Sequence, residues 1–176
     1  MREKGLVHLY CGDGKGKTTA AMGLALRCVG RHKSVVIAQF LKKGTSGECR
    51  FLSTLDYVTV LAANPVGKFS FAMNDEETAL TRDAILRTFQ AATDFAIRKH
   101  VFLLILDEVC AAIQGGFLPE EKVLEFLRTK PADLEVVLTG RNPSKALQDA
   151  SDYISEICKR KHPFDRGIDA REGIEQ

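Results

Sequence analysis

"YCGDGKGKTTAA", Tyr10 to Ala21, is the stretch on which the fold turns. Three glycines and two lysines fall within the six residues Gly12–Lys17, and Thr18 and Thr19 follow at once. The apolar run "LVHLY" (Leu6–Tyr10) precedes it and reads as a buried strand. After it, Lys17–Val29 places Ala21, Leu24, Ala25 and Cys28 on one helical face, and Gly30 ends that helix. A glycine loop set between a strand and a helix is built to hold a polyphosphate. Bare backbone lets N–H groups approach an anion, and the helix aims its positive end at the same point. The strict nucleotide loop is G-x-x-x-x-G-K-[ST]. Gly16, Lys17 and Thr18 supply its end, whereas Cys11 stands at its first glycine and Gly12 and Gly14 come instead.

Working outward, short β-rich runs alternate with helical patterns. "SVVIAQF" (Ser34–Phe40), "YVTVLAA" (Tyr57–Ala63), "VFLLILDE" (Val101–Glu108) and "LEVVLTG" (Leu134–Gly140) read as further strands, with the third central in the sheet. "YISEICKRK" (Tyr153–Lys161) reads as a last one. Lys42–Glu48 reads as a polar, glycine-containing connection. Asn74 and Glu77 form a capping pair for a long helix that buries Ile85, Phe89, Ala92 and Ala96. Pro119 reads as the first residue of a helix carrying Val123, Phe126 and Leu127 inward, and Ser144 as the cap of a helix ending near Asp152. The alternation predicts an α/β fold: one domain over residues 1–176, with a mainly parallel sheet and helices on both faces. Ligands of such sheets bind beyond the carboxyl ends of the strands.

Composition excludes several classes. Of the 176 residues 45% are hydrophobic and 27% charged, so the chain is an ordinary globular one rather than disordered. A net charge of +2 argues against nucleic acid or a membrane surface as an obligatory partner. Val101–Leu106 is far short of the ~20 apolar residues that cross a bilayer. Five cysteines without a C-x-x-C pair argue against a disulfide framework or zinc site and for a cytoplasmic protein with reduced thiols.

"LLILDEV" ends an apolar strand in Asp107 and Glu108, in the manner of a Walker B element. One of these carboxylates, with the Thr18 hydroxyl, is the expected seat of a divalent metal. "LTGRNPS" follows the next strand. Its Arg141 and Asn142 are placed to reach the same ligand edge, and the same residues equally suit a helix-entry loop.

Five pieces occur in order: "GDGKGKTTAAMGLALRCVGRHKSVVIAQFLK", "LLILDEV", "LTGRN", "ASDYISEI" and "KHPFDRGIDAREGIE". Together they make the chain, from about Lys4 to Glu175, resemble the P-loop type of corrinoid adenosyltransferase. The resemblance implies a P-loop, RecA-like fold. It also implies transfer of the 5′-deoxyadenosyl group of ATP to the Co(I) centre of a corrinoid, with release of triphosphate. By position it implies that Gly12, Asp13, Gly14, Lys15, Gly16, Lys17, Thr18 and Thr19 bind the triphosphate. Thr18 and Glu108 would hold Mg2+ or Mn2+ with Asp107 close by. Arg27 would lie near the nucleoside, or else be a solvated helix residue. Phe69 and Phe71, in "GKFSFAMND", match two aromatics that cover the lower face of the corrin. The family pattern has tryptophan at the second of these, and this chain has none. The polar tail from Lys161, which composition alone reads as a frayed terminus, is implied to be ordered near the site, with His162 structural rather than a cobalt ligand. Some members carry a longer N-terminal helical extension over the site; here a few residues precede the first strand. A reduced flavoprotein is the implied electron donor and a homodimer the implied assembly. The competing readings are a P-loop kinase or ATPase, a non-catalytic nucleotide or corrinoid carrier, and a nucleic-acid motor.

Overall fold

The structure is a computed structural model and describes residues 4–68 and 72–175. Along the chain come β1 (Val7–Cys11), α1 (Lys17–Val29), β2 (Val35–Phe40), α2 (Gly47–Leu52), β3 (Val58–Ala63) and α3 (Asp75–Arg98). Then come β4 (Leu103–Asp107), α4 (Val109–Gln114), α5 (Glu120–Thr129), β5 (Glu135–Thr139), α6 (Lys145–Asp149) and β6 (Tyr153–Glu156). A 3-10 turn at Pro163–Arg166 lies near the end.

All six strands join one sheet in the order β3-β2-β4-β5-β1-β6, and every pairing is parallel. Uninterrupted apolar runs give this result because helices cover both sides of a parallel sheet. Every residue of β2 and β4 is buried accordingly. Alternate side chains feed two cores. Val36, Ala38, Phe40, Leu104 and Leu106 pack on one face with α3, α4, α5 and α6. Val35, Ile37, Leu103 and Ile105 pack on the other with α1 and α2. Each large aliphatic side chain so buried stabilises the fold by about 1.5–3 kcal/mol relative to leaving it in water.

Local chemistry sets the helix ends. The Asn74 side chain accepts from Glu77 N–H at 2.9 Å and Asn74 N–H donates to the Glu77 carboxylate at 3.1 Å, so the expected capping box forms. Ser144 caps α6 through Leu147 N–H at 3.1 Å. Pro119 is the extended residue before α5 rather than its first helical one, at ψ 126°. Two short helices go beyond what the sequence predicts. α2 occupies the end of the stretch read as a polar connection, and α4 starts directly after Glu108. All five cysteines are free. Burial pushes the Cys110 thiol up to about 12, so it stays protonated and inert.

The strand order positions the site. β5 lies between β1 and β4, so the glycine loop and the Asp107–Glu108 pair leave the same sheet edge from strands two places apart.

Candidate active site

The glycine loop is packed against a second segment of chain. Ile157, just beyond β6, donates its N–H to Cys11 C=O at 2.8 Å and accepts from Gly14 N–H at 2.7 Å. A Cβ at Gly12 would stand 2.4 Å from the Ile157 carbonyl oxygen, and one at Gly14 2.7 Å from it. Gly12 also has φ +103°, which side chains rarely adopt. These two glycines therefore admit a neighbouring strand end, and Gly14 N–H is already committed. The anion-facing donors lie further on. Gly16 precedes α1 with no side-chain cap, so the first N–H groups of that helix stay free for a ligand.

Lys17 is 8% exposed, and its Nζ donates to the Gly14 carbonyl at 2.8 Å. Burial, then the Arg141 guanidinium and more weakly the Lys42 ammonium, pull its pKa below the usual lysine value, against the pull of Glu108 and Asp13. Burial is the largest of these effects, and a phosphate placed beside the ammonium would offset it. Asp13 lines the same site with its carboxylate engaged by the chain. It accepts from Lys159 N–H at 2.8 Å, and this bond holds its carboxyl below the ordinary range.

Asp107 is fully buried at the end of β4. Its Oδ1 accepts from Thr18 at 2.9 Å and from Thr139 at 2.7 Å. Its Oδ2 accepts from Gln39 at 2.9 Å and from the Lys42 ammonium at 2.8 Å. The β2–β4 register sets Gln39 directly beside Asp107, and the β4–β5 register brings Thr139 alongside. Glu108 is held in the left-handed region, at φ 60°, with its N–H on the Thr139 hydroxyl at 2.8 Å. A non-glycine residue there is strained, and such strain collects at working sites. The twist turns the Glu108 side chain towards the cleft while Asp107 points into the protein.

The cleft above has a volume of about 1030 Å³. Asp13–Thr19 form its floor, with Lys42, Glu108 and Arg141 on its walls. His162, Phe164, Asp165 and Glu175 close one side, which brings the C-terminal segment alongside the site. His162 does structural work there, since its Nδ1 accepts from Phe164 N–H at 3.2 Å and caps the 3-10 turn. Asn142 is exposed and outside the cleft lining, and its carbonyl accepts from Gln114 at 2.7 Å. The structure does not bring Arg27 to the cleft either. It is an exposed residue of the last turn of α1, ten positions and roughly 15 Å of helix rise from Lys17. Phe69 and Phe71 lie outside the described residues.

Gln39, Lys42 and Thr139 are site residues that the sequence does not single out. A signal exists for the first: a glutamine near the carboxyl end of an otherwise apolar strand, "VVIAQF", is a costly residue to bury without a polar partner.

The oxygens of Thr18, Glu108 and Asp107 suit a hard divalent cation, which takes its remaining ligands from phosphate and water. Lys42 Nζ already stands among them as a stand-in cation, 2.9 Å from Thr18 Oγ1, 2.8 Å from Asp107 Oδ2 and 3.7 Å from Glu108 Oε1. Among the described residues no cluster of three His, Cys, Asp or Glu could hold a metal ion.

Comparison with known proteins agrees with this geometry. The chain is 31% identical over 177 residues to the corrinoid adenosyltransferase CobA of Salmonella typhimurium, covering 99% of this chain and 87% of that one. It is 31% identical to the corrinoid adenosyltransferase of Escherichia coli, covering 98% and 86%, and 29% identical to that of Pseudomonas aeruginosa, covering 98% and 84%. Among solved structures, the KaiC-like protein PH0186 of Pyrococcus horikoshii superposes with a TM-score of 0.52 at 16% identity, over 92% of this chain and 76% of that one. That likeness supports the RecA-like arrangement of the sheet. The profile of the family described as ATP:corrinoid adenosyltransferase BtuR/CobO/CobP matches residues 3–176, and the chain belongs to that family of transferases.

Proposed function

We propose that the protein transfers the 5′-deoxyadenosyl group of ATP to the Co(I) centre of a corrinoid and releases triphosphate. The observation that carries this is the crowding of Lys17, Lys42 and Arg141 around an uncapped helix start on the floor of the cleft. Such a site holds a triphosphate and stabilises the charge that gathers on it as it leaves. The electron pair of Co(I) forms the cobalt–carbon bond, the bond from C5′ to the triphosphate oxygen breaks, and that oxygen keeps its pair. Cobalt thereby goes from Co(I) to Co(III). The nucleophile brings its own electron pair, so the step requires no general base.

In this reading Lys17 leaves the Gly14 carbonyl for a phosphate oxygen, and the N–H groups at the start of α1 receive another. Thr18 and Glu108, backed by Asp107, hold Mg2+ or Mn2+. When bound, the cation neutralises part of the charge on the leaving triphosphate. Arg141 lies on the cleft wall to steady the nucleotide, and Asn142 and Arg27 act outside direct contact.

The corrinoid is assigned to the side of the second cavity. This space of about 720 Å³ shares Lys42, Ser46, Gly47 and Gly173 with the cleft and extends to Lys68, the residue before Phe69. By the family resemblance, Phe69 and Phe71 would cover the lower face of the corrin and exclude a lower ligand, which makes Co(II) easier to reduce. Phe71→Ala is expected to lose about tenfold in rate (~1.4 kcal/mol) when the reaction starts from Co(II) and to keep its rate with chemically pre-reduced Co(I). Equal losses from both starting states would count against the wedge. A reduced flavoprotein is the proposed electron donor and the cytoplasm, with its reduced thiols, the proposed location. A homodimer is the proposed assembly; β6, one of the two edge strands, presents half-exposed Tyr153 and Ile154. No helix among the described residues is long and apolar enough to cross a membrane.

The test is product identification. Protein, ATP, a divalent cation and an anaerobically reduced corrinoid are expected to yield a light-sensitive adenosyl-corrinoid together with triphosphate. ADP and phosphate without a spectral change would assign phosphoryl transfer instead.

A further inference from the structure

We propose that Lys42 is a built-in counter-cation for the metal seat: its ammonium closes the seat in the nucleotide-free protein and moves onto the triphosphate when a divalent cation arrives. The inference rests on the assignment of Thr18, Asp107 and Glu108 to a metal and adds a residue that this assignment does not contain.

Three oxygens surround one ammonium. Thr18 Oγ1 is at 2.9 Å, Asp107 Oδ2 at 2.8 Å and Glu108 Oε1 at 3.7 Å. These oxygens come from the loop helix and from the end of β4, and Lys42 arrives from a third direction, two residues past β2. A divalent cation bound by the same oxygens would stand at about 2.0–2.1 Å from them. It cannot share that space with an ammonium, and the two positive charges would repel strongly at such a separation. One must leave when the other enters.

Lys42 is equipped to leave. Its ammonium sits on a flexible four-carbon stem, unlike the planar fork of an arginine. Its side chain is one-third exposed and borders both cavities, so space lies open around it. Its backbone is anchored meanwhile, because the preceding Leu41 N–H donates to the Ala63 carbonyl at 3.0 Å. The nearest unfilled demand for a cation is then the triphosphate itself, above the same floor.

The arrangement explains two features together. Asp107 is wholly buried yet accepts from four donors of the chain itself, so its buried charge is compensated by the protein's own groups. A bare divalent cation must also displace Lys42 before it can bind, whereas a cation arriving with ATP brings the anion that receives Lys42. The seat is thereby made selective for the metal–nucleotide complex over the free metal.

The test measures Mn2+ binding without nucleotide by the loss of the free-ion paramagnetic resonance signal, and binding of preformed Mn–ATP by titration calorimetry, since ATP alone removes the free-ion signal. Two variants are compared with the unaltered chain: Lys42→Met, which keeps the stem, and Lys42→Gln, which keeps a donor for Asp107 and guards against loss of fold. Thermal unfolding establishes that each is folded. Both variants are expected to bind Mn2+ without nucleotide at least tenfold more tightly than the unaltered chain, and Mn–ATP about tenfold more weakly. Unchanged Mn2+ affinity in the folded variants, with the unaltered chain binding Mn2+ in the presence of ATP, would overturn the role of Lys42 and leave the metal seat standing. Failure of the unaltered chain to bind Mn2+ even with ATP would overturn both.

Discussion

Lys17→Ala is expected to lower kcat/KM for adenosyl transfer by about 10²–10³-fold with any corrinoid, the scale seen when one preorganised donor to a developing anion is removed. The lysine is nearly enclosed, parked 2.8 Å from the Gly14 carbonyl, and one short movement from any phosphate on the floor of the cleft. Its pKa is drawn down by burial first and then by the Arg141 guanidinium, against the pull of Glu108 and Asp13, so its charge favours the fold little without an anion beside it. Lys17→Ala should therefore leave the nucleotide-free melting temperature within about 2 °C, as a change of less than ~0.5 kcal/mol does in a chain of this size. The stabilisation that ATP brings to the unaltered protein should disappear. Steady-state kinetics with pre-reduced corrinoid and thermal shifts with and without ATP check the two halves. Near-normal turnover would remove the loop from the mechanism.

Asp107→Ala is expected to act on the fold as well as on activity. It strands the Thr18 and Thr139 hydroxyls, the Gln39 amide and the Lys42 ammonium, four donors that now converge on one buried carboxylate. Breaking a buried ion pair from one side costs about 3–5 kcal/mol, or on the order of 10 °C in melting temperature. Asp107→Asn keeps the shape but turns an NH2 group towards donors on one side. Its fold should survive with a smaller loss, while metal-dependent activity falls with that of Asp107→Ala. Calorimetric melting of both variants, read beside their rates, separates the roles. A melting curve for Asp107→Ala that matches the unaltered chain would show that the four-donor network does not form in solution.

Elements with a long or chemically marked pattern are legible in the order of residues alone. α1 and α3 each repeat an apolar stripe over several turns, and Asn74 with Glu77 marks where α3 begins. α2 and α4 are not legible in this way because each has six residues, less than two turns. "VCAAIQ" comes so soon after β4 that it reads as more of the same apolar run. Over such lengths a 3.6-residue period cannot be told from chance, and packing on the sheet decides. Pro119 shifts by one position because proline suits both the residue before a helix and its first residue.

The site divides on the same physical line. Gly12–Thr19 and Asp107–Glu108 can be read from the chain because each is contiguous and its chemistry is local: bare backbone and cations for an anion, paired carboxylates at a strand end for a cation. Gln39, Lys42 and Thr139 lie 68, 65 and 32 positions from the aspartate they serve. Only Gln39, a polar residue in an otherwise apolar buried strand, carries a local sign of that service; nothing around Lys42 or Thr139 does. The parallel hydrogen-bond register sets Gln39 against Asp107 and brings Thr139 beside it, and the turn after β2 brings Lys42 back over the same carboxylate. The tail behaves likewise. Its composition from Lys161 on suggests a loose end, yet His162, Phe164, Asp165 and Glu175 line the cleft, because β6 pairs beside β1 and leaves the sheet at the mouth of the cleft. Phosphate chemistry and fold class thus come from the order of residues along the chain. The counter-charge behind the metal seat and the wall of the cleft come from which strand ends lie side by side.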